Sequence, residues 1–321
     1  RAGSTIPGLA PAFTGQGLAA AGATERHFGY GTDDFNNIIK MNFDSSAAAG
    51  DSGDLFINLT NFLGSRDNLR QGSVDLMTVR ASIGAIAPAF DASNVYFVGH
   101  SLGTINGGAF VASTNASGRS DLEIQAANLL TPVGGVVRML ENSPAFGPTI
   151  IGGLSAQTGL TQQDAGLQTY LNVLQHAIDS VDPVNFVADL QNAVISEVEG
   201  DTTTINDGRV NNLQGFFPGV VAGQTVQVDM DSSKAPLSGS TPLSELMGAN
   251  RLTSGDVLLP AFVRFTDQAS HGTPVLPDPT NPLAQATFGQ MVAQTLSLIS
   301  LNDFDSVAVV EDGTEVSVIA D

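Results

Sequence analysis

The chain of 321 residues contains no cysteine, no tryptophan and only two lysines, Lys40 and Lys234. The absence of cysteine excludes disulfides, thiolate catalysis and cysteine-ligated zinc or iron–sulfur sites, while it leaves the redox compartment open. With so few lysines, a basic helix of the kind that binds membrane surfaces is not available. No apolar run reaches the roughly 18–20 residues that span a bilayer.

Positive charge is scarce as well. Lysine and arginine number 12 against 32 aspartates and glutamates, which gives a formal net charge of −20. Such a surface repels phosphate backbones, so we expect no nucleic-acid partner. Charged residues make up only 14 % of the chain and hydrophobic residues 42 %, which is typical of a folded domain rather than of a disordered acidic tail.

Hydrophobic patterning predicts an alternating order of strands and helices after an irregular segment, residues 1–53, that is rich in glycine, alanine, serine and aspartate. The predicted strands cover 94–98, 124–132, 194–198 and 258–265, and the predicted helices cover 68–87, 104–113, 167–178 and 282–299. This order implies an α/β fold with a mostly parallel sheet covered by helices on both faces. A final segment, 301–321, alternates about Asp312-Gly313 and predicts a hairpin.

The segment Gly99-His100-Ser101-Leu102-Gly103 matches the G-x-S-x-G pattern of a serine nucleophile. A hydrophobic strand precedes it and a small-residue helix follows it, which is the context that this pattern requires. The sharp turn presents the hydroxyl near a helix N-terminus, and the flanking glycines are expected to relieve steric conflict. The sequence therefore predicts Ser101 as the nucleophile of an acyl transfer.

A serine nucleophile needs a base, and the chain has four histidines. His100 lies inside the motif, where we expect a structural role, His27 precedes the recognisable sheet, and His176 falls on a predicted helix surface. His271 follows a predicted strand and fits the chain order serine, acid, histidine. The sequence thus predicts His271 as the general base.

The acid of the triad is expected on a loop after a strand between the serine and the histidine. Asp207 is the first candidate, and Asp201, which follows the predicted strand 194–198 more closely, is the second. Asp179 and Asp182 are further candidates, although Asp182-Pro183 also has the pattern of a helix terminus. The role of the acid would be to orient the imidazole and stabilise the imidazolium.

Several segments together resemble the bacterial extracellular lipases, a family that includes surface-exposed lysophospholipases of aquatic Gram-negative bacteria. The resemblance covers roughly residues 54–300 and rests on the segments 56–59, 66–71, 96–103 and 207–211. It implies an α/β-hydrolase that cleaves lipid or acyl esters as a serine carboxylester hydrolase, with the triad Ser101, Asp207 and His271. It also implies a secreted protein or one at the outer-membrane surface of a bacterium.

One departure from the family pattern concerns the front of the sheet. Hydrolases of this kind place several strands and a His-Gly oxyanion loop before the nucleophile. This chain has no His-Gly pair before Ser101, and residues 1–53 give only weak strand signals. We therefore expect a trimmed chain, whose missing strands come from an upstream segment or a second polypeptide. A sheet completed by residues 1–100 alone would refute this expectation. The backbone N–H of Leu102 is then the one assignable oxyanion donor.

Three further interpretations stay open at this stage. Residues 133–180 are apolar and glycine-rich and predict two or three helices, which form either a cap over an acyl pocket or plain helical core. Arg66, Asp67 and Arg70 are either a charged helix start or a buried ion pair that braces the nucleophile turn. The acyl-transfer mechanism implies no metal or organic cofactor. A structural Ca²⁺ near Asp201 and Asp207 is an open alternative that lacks a full ligand pattern.

Overall fold

The computed structural model describes residues 30–32, 38–40, 56–59, 61–86, 90–143, 146–199, 215–221, 224–230, 237–266, 268–300, 306–309 and 318–319. The chain divides into two compact units, Arg1–Leu69 and Arg70–Asp321. In the first unit, strands β1 (Tyr30–Thr32) and β2 (Ile38–Lys40) pair with each other in antiparallel orientation.

The second unit is a mixed α/β structure. Its strands are β3 (Phe97–His100), β4 (Ala127–Leu130), β5 (Ala193–Val198), β6 (Gly215–Val221), β7 (Gln224–Met230), β8 (Asn250–Arg251), β9 (Gly255–Leu258), β10 (Ala261–Phe265) and β11 (Ser306–Val309). The helices are α1 (Phe62–Ile86, which begins before this unit), α2 (Leu102–Asn115), α3 (Val136–Asn142), α4 (Gly147–Thr158), α5 (Ala165–Ile178), α6 (Ser240–Met247) and α7 (Pro282–Ser300). Two short 3₁₀ helices cover Ser120–Leu122 and Pro183–Asp189.

The central sheet has five parallel strands in the order β3, β4, β5, β10, β8. Parallel strands need crossover connections, and helices of the chain supply them between β3, β4, β5 and β10. The carboxyl ends of these strands therefore meet at one edge of the sheet. This mostly parallel α/β architecture confirms the fold class predicted from the alternating pattern.

Two apolar clusters cover the two faces of the sheet. On one face, Phe110 of α2 and Leu243 of α6 pack against Leu129 and Ile195 of the sheet. On the other face, Met291 and Leu298 of α7 belong to the cluster that contains Val194, Val263 and Phe265. Neighbouring residues of a strand face opposite ways, and every residue of β5 and β10 except the partly buried Arg264 is buried, so both faces of these strands are covered.

The boundaries of several elements differ from the sequence prediction. The predicted strand 258–265 is two strands, since Pro260, which has no N–H to donate, separates β9 from β10. Helix α6 and the antiparallel pair β6–β7 were not predicted. Residues 133–180 do form three helices, α3 to α5, as the apolar pattern indicated.

Two predictions about the ends of the chain fall mainly outside the described residues. The C-terminal hairpin prediction includes residues 310–317, which are not described; β11 pairs with β9, and Ile319 bridges to Phe265. The irregular segment 1–53 is described only at β1 and β2. Within the described ranges, no helix has the length and hydropathy needed to cross a membrane.

Candidate active site

Ser101 occupies the turn between strand β3 and helix α2. Its backbone has φ 53° and ψ −123°, a region that non-glycine residues rarely adopt and that costs about 1–3 kcal/mol. Although Ser101 is the N-cap residue of α2, its hydroxyl makes no capping hydrogen bond. The carbonyl of Ser101 instead accepts from the N–H and the hydroxyl of Thr104, at 2.7 and 2.6 Å. The side chain is thus held out of the helix and available for other contacts.

The glycines around this turn differ in how much space they have for a side chain. A Cβ at Gly99 would lie 2.8 Å from the carbonyl oxygen of Gly103, so only glycine fits there. A Cβ at Gly107, one turn into α2, would lie 2.2 Å from the Phe97 ring. At Gly103 a Cβ would meet no described atom within 4 Å. The prediction that both flanking glycines relieve a clash is therefore correct for Gly99 and wrong for Gly103, while Gly107 was missed.

His271 lies in the loop after β10, and its Nε2 is 2.8 Å from the hydroxyl oxygen of Ser101. The two residues are 170 positions apart in the chain and meet at the carboxyl edge of the parallel sheet. The hydroxyl can donate to Nε2 only when that nitrogen carries no hydrogen, which places the single imidazole hydrogen on Nδ1. This is the arrangement of a nucleophile and its general base.

The first residues of α2 provide hydrogen-bond donors beside the hydroxyl. The N–H of Leu102, at the first helical position, has no acceptor within its own helix and donates to no described residue. Unpaired N–H groups at a helix N-terminus carry partial positive charge and stabilise a developing oxyanion. The predicted donor is therefore located next to the candidate nucleophile.

Two further residues lie at this edge. His100 makes a structural hydrogen bond, as was expected for it, whereas Thr131 was not recognised from the sequence. His100 Nε2 lies 2.8 Å from the backbone carbonyl oxygen of His271. Thr131 follows β4 at the register position beside Ser101, since His100 pairs with Leu130. It has φ 49°, is 2 % exposed, and its hydroxyl has no hydrogen-bond partner among the described residues. Ser101 and Thr131 are the only non-glycine residues with positive φ in the described ranges, and they are neighbours.

Of the four candidate acids, two lie within the described residues and two lie outside them. Asp207 and Asp201 lie outside the described residues, so both stay predictions. The structure does not bring Asp182 to His271. Its fully buried carboxylate accepts from the N–H groups of Gly135, Val136 and Val184 and from the Gln175 side chain, at 2.8–3.2 Å. Burial raises the pKa of the Asp182 carboxyl, and these four donors act in the opposite direction.

Asp182 therefore has the structural role that its position before a proline indicated, as the N-cap of the 3₁₀ helix Pro183–Asp189. Asp179, the remaining candidate, contacts Gln175 and His176 on the surface of α5. The His176 side chain is 83 % exposed, which confirms its predicted place on a helix surface. His27 lies outside the described residues.

The charged segment in α1 is not a buried brace. Arg66 pairs with the adjacent Asp67 at 2.7 Å, but the Asp67 side chain is 59 % exposed. The Arg70 side chain donates to the Ser180 hydroxyl at the surface. The interpretation as a buried ion pair is therefore wrong, because solvent surrounds the carboxylate. The alternative, a charged helix start, is right about the helix but not about its start, since α1 begins at Phe62.

The site consists of a strained serine, a histidine in hydrogen-bond contact with it, and a helix N–H beside it that donates to no described residue. No group of three or more histidine, aspartate or glutamate side chains in the described ranges is arranged to hold a metal ion. No protein-family model, no curated protein and no solved structure matches this chain. The functional conclusion therefore rests on the geometry of the site and on residue chemistry.

Proposed function

We propose that this chain is a serine carboxylester hydrolase, a lipase or esterase of the α/β-hydrolase type that cleaves lipid or acyl esters. The observation that carries the proposal is the contact of 2.8 Å between Ser101 Oγ and His271 Nε2, made by a serine with φ 53° between a strand and a helix. Strained backbone is retained where the surrounding structure enforces it, and such positions cluster at active sites.

The mechanism follows from these two side chains. His271 takes the hydroxyl proton as Ser101 attacks the ester carbonyl, and the N–H of Leu102 donates to the oxyanion that forms. His271 then protonates the leaving alcohol, which departs and leaves an acyl-enzyme. Water, activated by the same imidazole, hydrolyses this intermediate and restores the serine.

The third member of the triad is proposed as Asp207, with Asp201 as the alternative. Its carboxylate would accept the Nδ1 hydrogen of His271 and stabilise the imidazolium that forms during attack. The hydrogen is on Nδ1 when Ser101 donates to Nε2, which is the direction that the proposed role of His271 as base requires. The family resemblance favours Asp207, whereas the end of β5 at Val198 is closer in sequence to Asp201.

The proposal also covers the substrate, the partner and the location of this protein. We assign helices α3 to α5 to a cap beside the catalytic sheet, with an apolar surface for an acyl chain that includes Phe146, which is 44 % exposed. The acidic surface is consistent with a protein secreted or held at the outer surface of a bacterium. An upstream segment or a second chain is proposed to complete the sheet next to β3, which pairs among the described strands only with β4.

Covalent labelling tests the proposal directly. A fluorophosphonate probe, followed by peptide mapping, is expected to modify Ser101 in the intact protein. Ser101→Ala is expected to abolish labelling and to lower ester hydrolysis by about 10⁴-fold or more. Ser254→Ala, which removes an exposed serine, is the matched control and is expected to react like the wild type. A folded wild-type protein that is not labelled would favour an inactive scaffold that serves binding or adhesion.

Acyl-chain profiling separates the lipase from its alternatives. With p-nitrophenyl esters of increasing chain length, a lipase is expected to prefer long chains. A maximum on short chains would instead support a small-ester or polyester esterase. Transfer of the acyl group to an added alcohol in preference to water would support an acyltransferase that uses the same residues.

A further inference from the structure

Two consecutive residues of the nucleophile turn contact the same histidine. Ser101 Oγ lies 2.8 Å from the imidazole Nε2 of His271, and His100 Nε2 lies 2.8 Å from the backbone carbonyl oxygen of His271. We propose that His100 is a positioning residue for catalysis, which fixes the main chain of the His271 loop so that the imidazole reaches the nucleophile. This inference rests on the proposed function.

The chemistry of the contact shows which nitrogen of His100 is the hydrogen-bond donor. A carbonyl oxygen only accepts hydrogen bonds, so His100 Nε2 carries the hydrogen and donates it. The ring centroids of His100 and His271 lie 5.2 Å apart, with 44° between the ring planes. The hydrogen of His100 Nε2 is directed at the main chain of His271, so the imidazole of His271 keeps its own contact with Ser101.

The surrounding loop explains why this contact matters. The carbonyls on either side of His271 are bonded within the loop: Ser270 O accepts from Thr273 N at 2.9 Å, and Gly272 O accepts from Leu276 N at 2.8 Å. The carbonyl of His271 is instead held by His100, which is 171 positions earlier in the chain. The contact therefore ties the local turn to the strand that carries Ser101.

The main chain beside His271 reaches the surface. Ser270 is exposed, and a Cβ at Gly272 would meet no described atom closer than the Ser270 hydroxyl oxygen, at 3.9 Å. A general base must remain within hydrogen-bond reach of its proton, and a displacement of about 1 Å can cost about 10²-fold in rate. A bond from β3 to the His271 main chain limits such a displacement.

The test compares two side chains of similar length that differ in their donor. His100→Gln keeps an N–H donor, whereas His100→Met removes it. For each variant we would measure the rate of fluorophosphonate labelling at Ser101, kcat and KM on a p-nitrophenyl ester, and the melting temperature. His100→Met is expected to lower the labelling rate and kcat by about 10- to 100-fold with KM within about twofold. His100→Gln is expected to recover most of that loss.

The possible results separate this inference from the proposed function. Equal labelling of wild type and His100→Met would overturn the positioning role and leave the hydrolase proposal intact. Equal losses in the Gln and Met variants, in proportion to a fall in melting temperature, would also overturn it, since they indicate a role in folding. An unlabelled wild type would overturn both. If His100→Met does not fold, His100→Phe replaces it as the variant without a donor, and the same criteria apply.

Discussion

Replacing Gly107 by alanine tests how closely helix α2 approaches the strand that carries the nucleophile. The new Cβ would lie 2.2 Å from Cε1 and 2.3 Å from Cζ of Phe97. Carbon atoms attract at separations of about 3.5–4.0 Å, so the ring and the helix must move apart by more than about 1 Å. The Phe97 ring also packs edge-on against Phe110, with centroids 5.6 Å apart, which limits its freedom to rotate away.

The size of the effect follows from two opposing contributions. Overpacking of this kind costs about 1–3 kcal/mol, while alanine in a helix interior gains about 1 kcal/mol over glycine. Gly289, in the interior of α7, is the matched control because it is exposed and its Cβ would meet no described atom within 4 Å. Gly107→Ala is therefore expected to be about 1–3 kcal/mol less stable than Gly289→Ala.

Urea unfolding followed by circular dichroism measures this difference directly. The urea midpoint of Gly289→Ala is expected to lie slightly above that of the wild type. The midpoint of Gly107→Ala is expected to lie below that of Gly289→Ala, with similar slopes for both. Fluorophosphonate labelling of Gly107→Ala provides a second readout, since a displaced α2 moves the Leu102 N–H relative to Ser101. Equal midpoints for the two alanine variants would refute the close contact between α2 and Phe97.

Three further predictions concern acidic residues. Asp207→Asn is expected to lower kcat on a p-nitrophenyl ester by about 10⁴-fold, with Asp201→Asn near wild type; the opposite pattern would assign the acid to Asp201. Asp182→Ala is expected to cost about 3 kcal/mol or more in urea unfolding, because two buried N–H groups and one partly buried N–H group lose their acceptor; an unchanged midpoint would contradict that role. The N–H and hydroxyl of Thr161 lower the pKa of Asp164, so its ionised form contributes stability at neutral pH that is lost as the pH falls through the depressed pKa. Asp164→Asn should therefore lower the melting temperature near pH 7 and change it less near pH 2; an equal effect at both values would exclude the charge as the cause.

The sequence predicted the centre of the candidate site because its signals are local. The strand, the G-x-S-x-G turn and the small-residue helix are contiguous. Chain order sets aside His27 and His100, and the predicted helix at 167–178 sets aside His176, which leaves His271. Asp182 was recognised in part, since an aspartate before a proline is typical of a helix N-terminus. The structure describes it in that role rather than as an acid near His271.

Other features depend on contacts between distant residues and had no local signal. The bond from His100 to the His271 main chain requires knowledge of how β3 and the loop after β10 lie together. Thr131 precedes a proline, a position for which extended backbone is expected, so its positive φ was not predictable. The eight residues of α6 are too few for a clear helical period, and the two residues of β8 give no strand signal.

The separation of Ser101 and His271 by 170 positions has a consequence for how the candidate site forms during folding. The two residues meet only after β3, β4, β5 and β10 have joined in register, and pairings between parallel strands are slow to form because each closes a long loop. No fragment that lacks either end of the span 101–271 contains both groups. During refolding, covalent labelling of Ser101 is therefore expected to return late. The labelling reports that the whole sheet has formed, and not only the local turn.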